Sequence, residues 1–180
     1  MNPLYILIIV IIVLIIIWYI VTSNKLNKSI VKIDEALSGI DVALTKRYDV
    51  LTKMIEVVKS YAKHEKETLF EVIKLRKDMS IKEINDANRV MDENFRKINV
   101  VAESYPELKS SENYKTLQQS IVDVEEHLQA SRRLYNSNVS LYNQLLVSFP
   151  TSIVAKNKKM TKKEFFEIDE TKKEDVKIDL

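Results

Sequence analysis

The sequence predicts an all-α protein: a single N-terminal transmembrane helix, then an antiparallel up-and-down four-helix bundle whose first and last helices are long. Three observations carry the prediction. An unbroken apolar run occupies Leu4 to Val21. Apolar residues then recur at alternating spacings of three and four along 24–62 and 111–149, the pattern of a packed helical seam. Finally, only one glycine and three prolines occur in 180 residues, too few for the positive-φ corners and tight turns that join strands.

The apolar run is LYILIIVIIVLIIIWYIV. At a rise of ~1.5 Å per residue it spans roughly 27 Å, close to the hydrocarbon thickness of a bilayer. Pro3 sits where a helix start accepts it. Tyr5 near one end, and Trp18 with Tyr19 near the other, are placed as interfacial aromatic anchors. A cleaved signal peptide would carry a basic start, a shorter apolar stretch and small residues at a cleavage site; none of these is present, so the helix is expected to be retained. Lys25, Lys28 and Lys32 follow the run and no Lys or Arg precedes it. The positive-inside rule then places a short N-terminus outside and the remainder of the chain in the cytoplasm.

Beyond the anchor (residues 1–23) the bundle is expected over 24–152. In its first helix Ile30, Leu37, Leu44, Leu51 and Val58 form one row, and Ile33, Ile40, Arg47, Met54 and Tyr61 the interleaved one. Two shorter helices follow, near 64–79 and 82–104, separated by a capping box of Ser80 with Glu83; a single helix over 64–104 is the alternative. Pro106 ends that stretch, because the residue before a proline avoids the α region. The last helix carries Leu117, Ile121, Val124, Leu128, Ser131, Tyr135, Asn138, Tyr142, Leu145 and Phe149, and Pro150 stops it. Residues 153–180 are a charged tail without apolar period, expected to be largely disordered, especially beyond Asp169. It holds Lys156, Lys158, Lys159, Lys162 and Lys163, followed by Phe165-Phe166.

Two blocks carry a family resemblance. Ile40 to Leu69 contains Arg47-Tyr48-Asp49 and the Tyr-x-x-His-Glu of Tyr61 to Glu65. Ala102 to Pro150 contains the Tyr-Pro-x-Leu of Tyr105 to Leu108 and the paired steps Tyr135-Asn136 and Tyr142-Asn143. With the anchor in place, the chain resembles the LemA family of bacterial membrane proteins over most of residues 4–166. The resemblance implies a four-helix bundle behind one membrane helix in a bacterial cell membrane. It supplies no activity, the family having no established biochemical function. Where the family usually has Ile-Pro-Asn-Leu this chain has Leu51-Thr52-Lys53-Met54, so a proline kink expected there is missing. The connection around Ser80 is also shorter than in the family.

The composition argues against several chemistries. Lys and Arg number 28 against 26 Asp and Glu, so no global field attracts nucleic acid. Without cysteine there is no thiolate nucleophile or metal ligand. His64-Glu65 lacks the second histidine four residues on that a zinc-protease helix needs, position 68 being Thr. One glycine cannot build a phosphate-cradling loop. No cofactor or metal site is therefore expected, and the chain reads as no enzyme.

Polar residues on the seams are the remaining signal. If the first and last helices run antiparallel with Phe149 returning near Ile30, Arg47 faces the Ser131–Tyr135 turn and Asn138 lies near Asp41. Asp41, Arg47, Tyr48, Asp49, Tyr135, Asn138 and Tyr142 would then form one hydrogen-bonded core layer. Such a layer either fixes helix register or lines a ligand pocket. The five tail lysines are candidates for contact with an anionic lipid surface, with Phe165-Phe166 dipping into the interface. The expected role is a membrane-tethered, non-enzymatic scaffold for proteins at the membrane, its oligomeric state open; a sensor using the polar layer is the alternative.

Overall fold

The computed structural model describes residues 3–62, 70, 75–76 and 79–166. Among these the chain is helical, with no strand: α1 is Pro3–Tyr61, α2 Ile81–Ser104, α3 Pro106–Ser110, α4 Glu112–Val147 and α5 Thr151–Asn157. The helix expected near 64–79, and the tail beyond Asp169, fall largely or wholly outside the described residues.

α1 is unbroken for 59 residues. With threonine and lysine at positions 52 and 53, every backbone N–H in that turn is available to the helix, and no proline ring meets the preceding carbonyl. Its start is suited by length and composition to cross a membrane, and none of that apolar window is covered by the rest of the chain. A core helix of a water-soluble domain would bury such a run.

The fold divides into two compact units. The second, Leu37–Arg132, holds the C-terminal part of α1, all of α2 and α3, and the first half of α4. Leu51, Met54 and Val58 of α1 meet Met91, Ile98 and Ala102 of α2 in one buried cluster that includes Leu108 and Tyr114. Most heptad positions expected to face inward therefore do so: Ile30 and Leu37 are half-buried, while Tyr61, the last residue of α1, is 39% exposed and Phe149, past the end of α4, is fully outside the core. α2 starts at the expected box, where Ser80 Oγ accepts from Glu83 N–H at 3.2 Å and Ser80 N–H donates to Glu83 Oε2 at 2.8 Å. α2 stops before Pro106, which opens the single turn of α3. Leu108, fully buried, pins that turn to the core.

The first unit, Met1–Ala36 with Arg133–Leu180, joins the start of α1 to the second half of α4, α5 and the segment after it. Leu26, Ile33, Val139, Tyr142 and Val154 are its buried centre. α4 ends at Val147, three residues before Pro150, and the Phe149–Pro150 bond is cis. α5 closes with Lys159 at φ 51, while Met160 N–H donates to Ala155 O at 3.0 Å, the long return bond of a Schellman cap. Lys158 Nζ donates to Ser23 Oγ at 2.8 Å and Asn27 Oδ1 at 2.9 Å. Residues 153–166 were read as the start of a disordered tail because they lack apolar period. They are held instead by α5, about two helical turns long, and by side-chain bonds to backbone, neither of which leaves a periodic signature.

The α1–α4 register also differs from expectation. In the second unit a Cβ on Gly39 would lie 3.7 Å from Ser131 Oγ, and Arg47 reaches Glu125. In the first unit Asn138 Nδ2 donates to Lys32 O at 2.9 Å. The pairing is antiparallel, but displaced by about two helical turns from the expected one. Periodicity defines which face is buried and is blind to axial slip.

Candidate functional site

The two paired Tyr-Asn steps of α4 make the most ordered polar arrangement in the first unit. Tyr135 and Asn136 recur seven residues on as Tyr142 and Asn143, two turns along one helix face. Against that face lies an extended segment, residues 161–166. Asn143 Nδ2 donates to Lys163 O at 2.9 Å while its Oδ1 accepts from Lys163 N–H at 2.9 Å. Asn136 repeats the pattern with Phe166, at 2.9 and 2.8 Å. The tyrosines add one bond each: Tyr142 OH to Thr161 O and Tyr135 OH to Glu164 O, both 3.2 Å.

Both asparagines thus grip the N–H and C=O of a single residue through acceptor and donor together, as the opposite residue of a hydrogen-bonded antiparallel pair would. The spacing explains why this works twice. Seven helical residues advance about 10.5 Å, and three residues of a polyproline-II-like segment advance about 9.3 Å and bring the same side of the backbone round again, which matches Asn136 and Asn143 to Phe166 and Lys163. All six bonds end on backbone atoms of the segment. Only Phe166 adds a side chain: it is 3% exposed and stands edge-on to the Tyr135 ring at 5.1 Å between centroids. Phe166 is therefore not free to enter a lipid interface, whereas Phe165 stays 46% exposed.

Burial raises the Tyr135 phenol above its usual range, with Glu164 and Asp34 adding repulsion of the phenolate. Burial also raises Tyr142. The folded state thus favours the protonated phenols. Their contribution is complete below the ordinary phenol value near 10 and is lost as pH rises through the higher folded-state values. Denaturant titrations at about pH 9 and about pH 11 are expected to show an alkaline loss of stability that shrinks in the Y135F/Y142F variant.

Arg47 organises the second unit. It is 4% exposed, and its guanidinium binds the side chains of Asn88 and Asp92, the Asn88 carbonyl at 3.4 Å and Glu125 at 3.1 Å. Phe95 lies under the cation, 5.3 Å from ring centroid to Cζ. Asn88 and Asp92 are one turn apart on α2, so both face α1. One buried cation answers two carboxylates that are 21% and 31% exposed. Among the described residues the Arg47 Nε–H has no acceptor.

The single layer expected from the seams is thus two separate arrangements. Arg47 pairs with α2 and Glu125 rather than with the Ser131–Tyr135 turn, a consequence of the two-turn slip. Tyr48 is half-buried against the second unit's core, while Asp41 and Asp49 are exposed on α1. Tyr135 and Tyr142 serve the ladder, and Asn138 holds the Lys32 carbonyl. Of the tail lysines, Lys158 is tied to α1 and Lys163 lends its backbone to Asn143; the side chains of Lys156, Lys159, Lys162 and Lys163 are exposed. Asn88, Asp92 and Glu125 were missed, since nothing along the chain shows which polar residue meets a buried arginine. The ladder's signal was visible as a repeated Tyr-Asn step, but its partner segment was not. His127 is exposed, and His64 lies outside the described residues. No group of three His, Cys, Asp or Glu that could hold a metal ion occurs among the described residues.

These features define an all-helical protein with a candidate membrane-spanning helix at its N-terminus and a helix face that holds its own C-terminal segment. Comparison with known proteins gives the particular kind. The chain belongs to the LemA family, whose model matches residues 36–180. It is similar to Protein LemA of Metamycoplasma hominis, at 28% identity over 163 residues, covering 88% of this chain and 74% of that relative. The family is of unknown function and is not a known enzyme family.

Proposed function

We propose that this protein is a membrane-tethered, non-enzymatic interaction module that scaffolds membrane or membrane-proximal proteins, and that the α4 ladder is the surface with which it grips extended protein segments. The single observation behind this reading is that all six ladder bonds go to backbone atoms. A face built that way accepts an extended segment with little regard to its side chains, the logic of strand addition transferred to a helix. Residues 161–166 occupy it in cis at a high effective concentration, so a partner segment competes with them. The Arg47 guanidinium pairs with Asn88, Asp92 and Glu125 inside the second unit, which favours a register role for that layer.

In this proposal residues 1–23 anchor the chain singly in a bacterial cell membrane, and 24–152 form the helical bundle. Residues 153–180 are the charged segment that supplies the cis occupant, and Lys156, Lys159 and Lys162 meet the lipid surface. The bundle lies in the cytoplasm. A single cysteine at Ser110, exposed on α3, is expected to resist a membrane-impermeant thiol reagent in intact cells and to react after permeabilisation. Labelling in intact cells reverses the sidedness.

A labelled peptide of residues 160–167 tests the ladder on the full-length protein. Phe166→Ala in the protein loosens the cis segment and is expected to raise peptide binding severalfold, while adding Asn136→Ala and Asn143→Ala abolishes it. Absence of binding to the loosened protein, or binding indifferent to the asparagines, removes the ladder as an interaction surface.

A further inference from the structure

A groove of about 690 Å3 runs between α1 and α4 in the first unit, immediately past the apolar run. Lys25, Lys28 and Lys32 line one wall, and Val21, Leu141 and Leu145 form its apolar surface. The three lysines follow i, i+3, i+7 spacing, so they share a helix face, and like charges so placed repel one another unless an anion sits among them. No carboxylate lines the groove. Leu141 is 57% exposed, a large apolar side chain beside three cations. Asn138 lines the same groove and is bonded to the Lys32 carbonyl.

We infer that this groove binds one anionic phospholipid, its phosphate held by Lys25 and Lys28 with Lys32 behind them, and the upper part of an acyl chain against Val21 and Leu145. The inference rests on the membrane-anchor reading of α1. Along the helix, Lys25 and Lys28 stand about 6 and about 10 Å beyond Val21, the depth at which a bilayer's polar headgroup layer follows its hydrocarbon. The end of α4 carries further apolar surface at this end of the unit: Val147 is 63% exposed and Phe149 83%. Water is a poor neighbour for these groups and the lipid interface a good one. A soluble anion would use the lysines and leave the apolar wall exposed; a neutral lipid would leave the lysines unanswered.

Trp18, the chain's one tryptophan, lies a turn before Val21 and reports on lipid at the groove. The full-length protein is reconstituted in phosphatidylcholine nanodiscs containing a rising fraction of brominated phosphatidylglycerol or, in parallel, brominated phosphatidylcholine. The expected result is half-maximal quenching at a severalfold lower fraction of the anionic lipid. That preference vanishes in K25Q/K28Q/K32Q and weakens in Leu145→Ser, which keeps every charge. It persists in K82Q/K109Q/K115Q, which removes equal charge from exposed lysines of the second unit, and in millimolar glycerol phosphate. Equal quenching by the two lipids overturns the site. Equal loss in both triple variants shows general surface attraction and overturns it too, as does displacement by glycerol phosphate, which marks a plain anion site. Failure of the chain to enter nanodiscs at all overturns the anchor reading and the groove with it.

Discussion

Replacing Arg47 with leucine is expected to destabilise the second unit by about 2–4 kcal/mol, read as a lowered denaturant midpoint of the full-length protein. Three partners lose their cation. Asn88, 5% exposed, would keep a buried amide oxygen with no donor from α1, and desolvated unpaired polar groups cost about 1–3 kcal/mol each. Asp92 and Glu125 are partly exposed and recover some hydration, which holds the figure below that of a fully buried broken pair. Arg47→Lys keeps the charge and loses the planar fork that reaches α2 and α4 together, so an intermediate loss is expected. A leucine variant as stable as the parent would show that the network is neutral in energy and leave register as its sole use.

Removing both ladder asparagines, N136A/N143A, is expected to free residues 161–166 while leaving the helices packed. Four bonds disappear, and at about 0.5–1.5 kcal/mol each the local opening becomes easier by about 2–6 kcal/mol, a factor of roughly 30 to about ten thousand. Hydrogen exchange reads this directly: the amides of Lys163 and Phe166, whose acceptors are the two asparagine oxygens, should exchange faster by that factor. Amides in the middle of α4 should not change. Burial of the Phe166 ring, about 2 kcal/mol, keeps some residual contact, so adding Phe166→Ala should complete the release. Unaltered exchange at Lys163 and Phe166 would mean that the segment is held by other means.

The main helices were legible in the sequence because each is long enough to repeat its pattern many times. Leu44, Leu51 and Val58 state the inner face of α1 three times over, and the Ser80–Glu83 box marks where α2 begins. α3 and α5, at five and seven residues, repeat nothing, so no periodic signal announces them. Arg47 stood out as polar on an apolar row, yet the identity of its partners depends on axial register, and that was inferred from where α4 was assumed to return. α4 runs about two turns further towards the apolar run than assumed, so the partner of Arg47 became Glu125. The extended segment escaped notice for a different reason: its bonds are made by its backbone, and backbone atoms are the same in every sequence.

The matched advance of α4 and residues 161–166 has a consequence for length variation. A single inserted residue between Lys163 and Phe166 would carry one of the gripped residues about 3.1 Å past its asparagine and turn its N–H and C=O away from α4. One clip or the other must then open. A further Tyr-Asn step added seven residues along α4, together with three more extended residues, would leave every existing bond intact. The arrangement is a vernier: its two scales tolerate joint lengthening in the ratio seven to three and penalise a change in either alone.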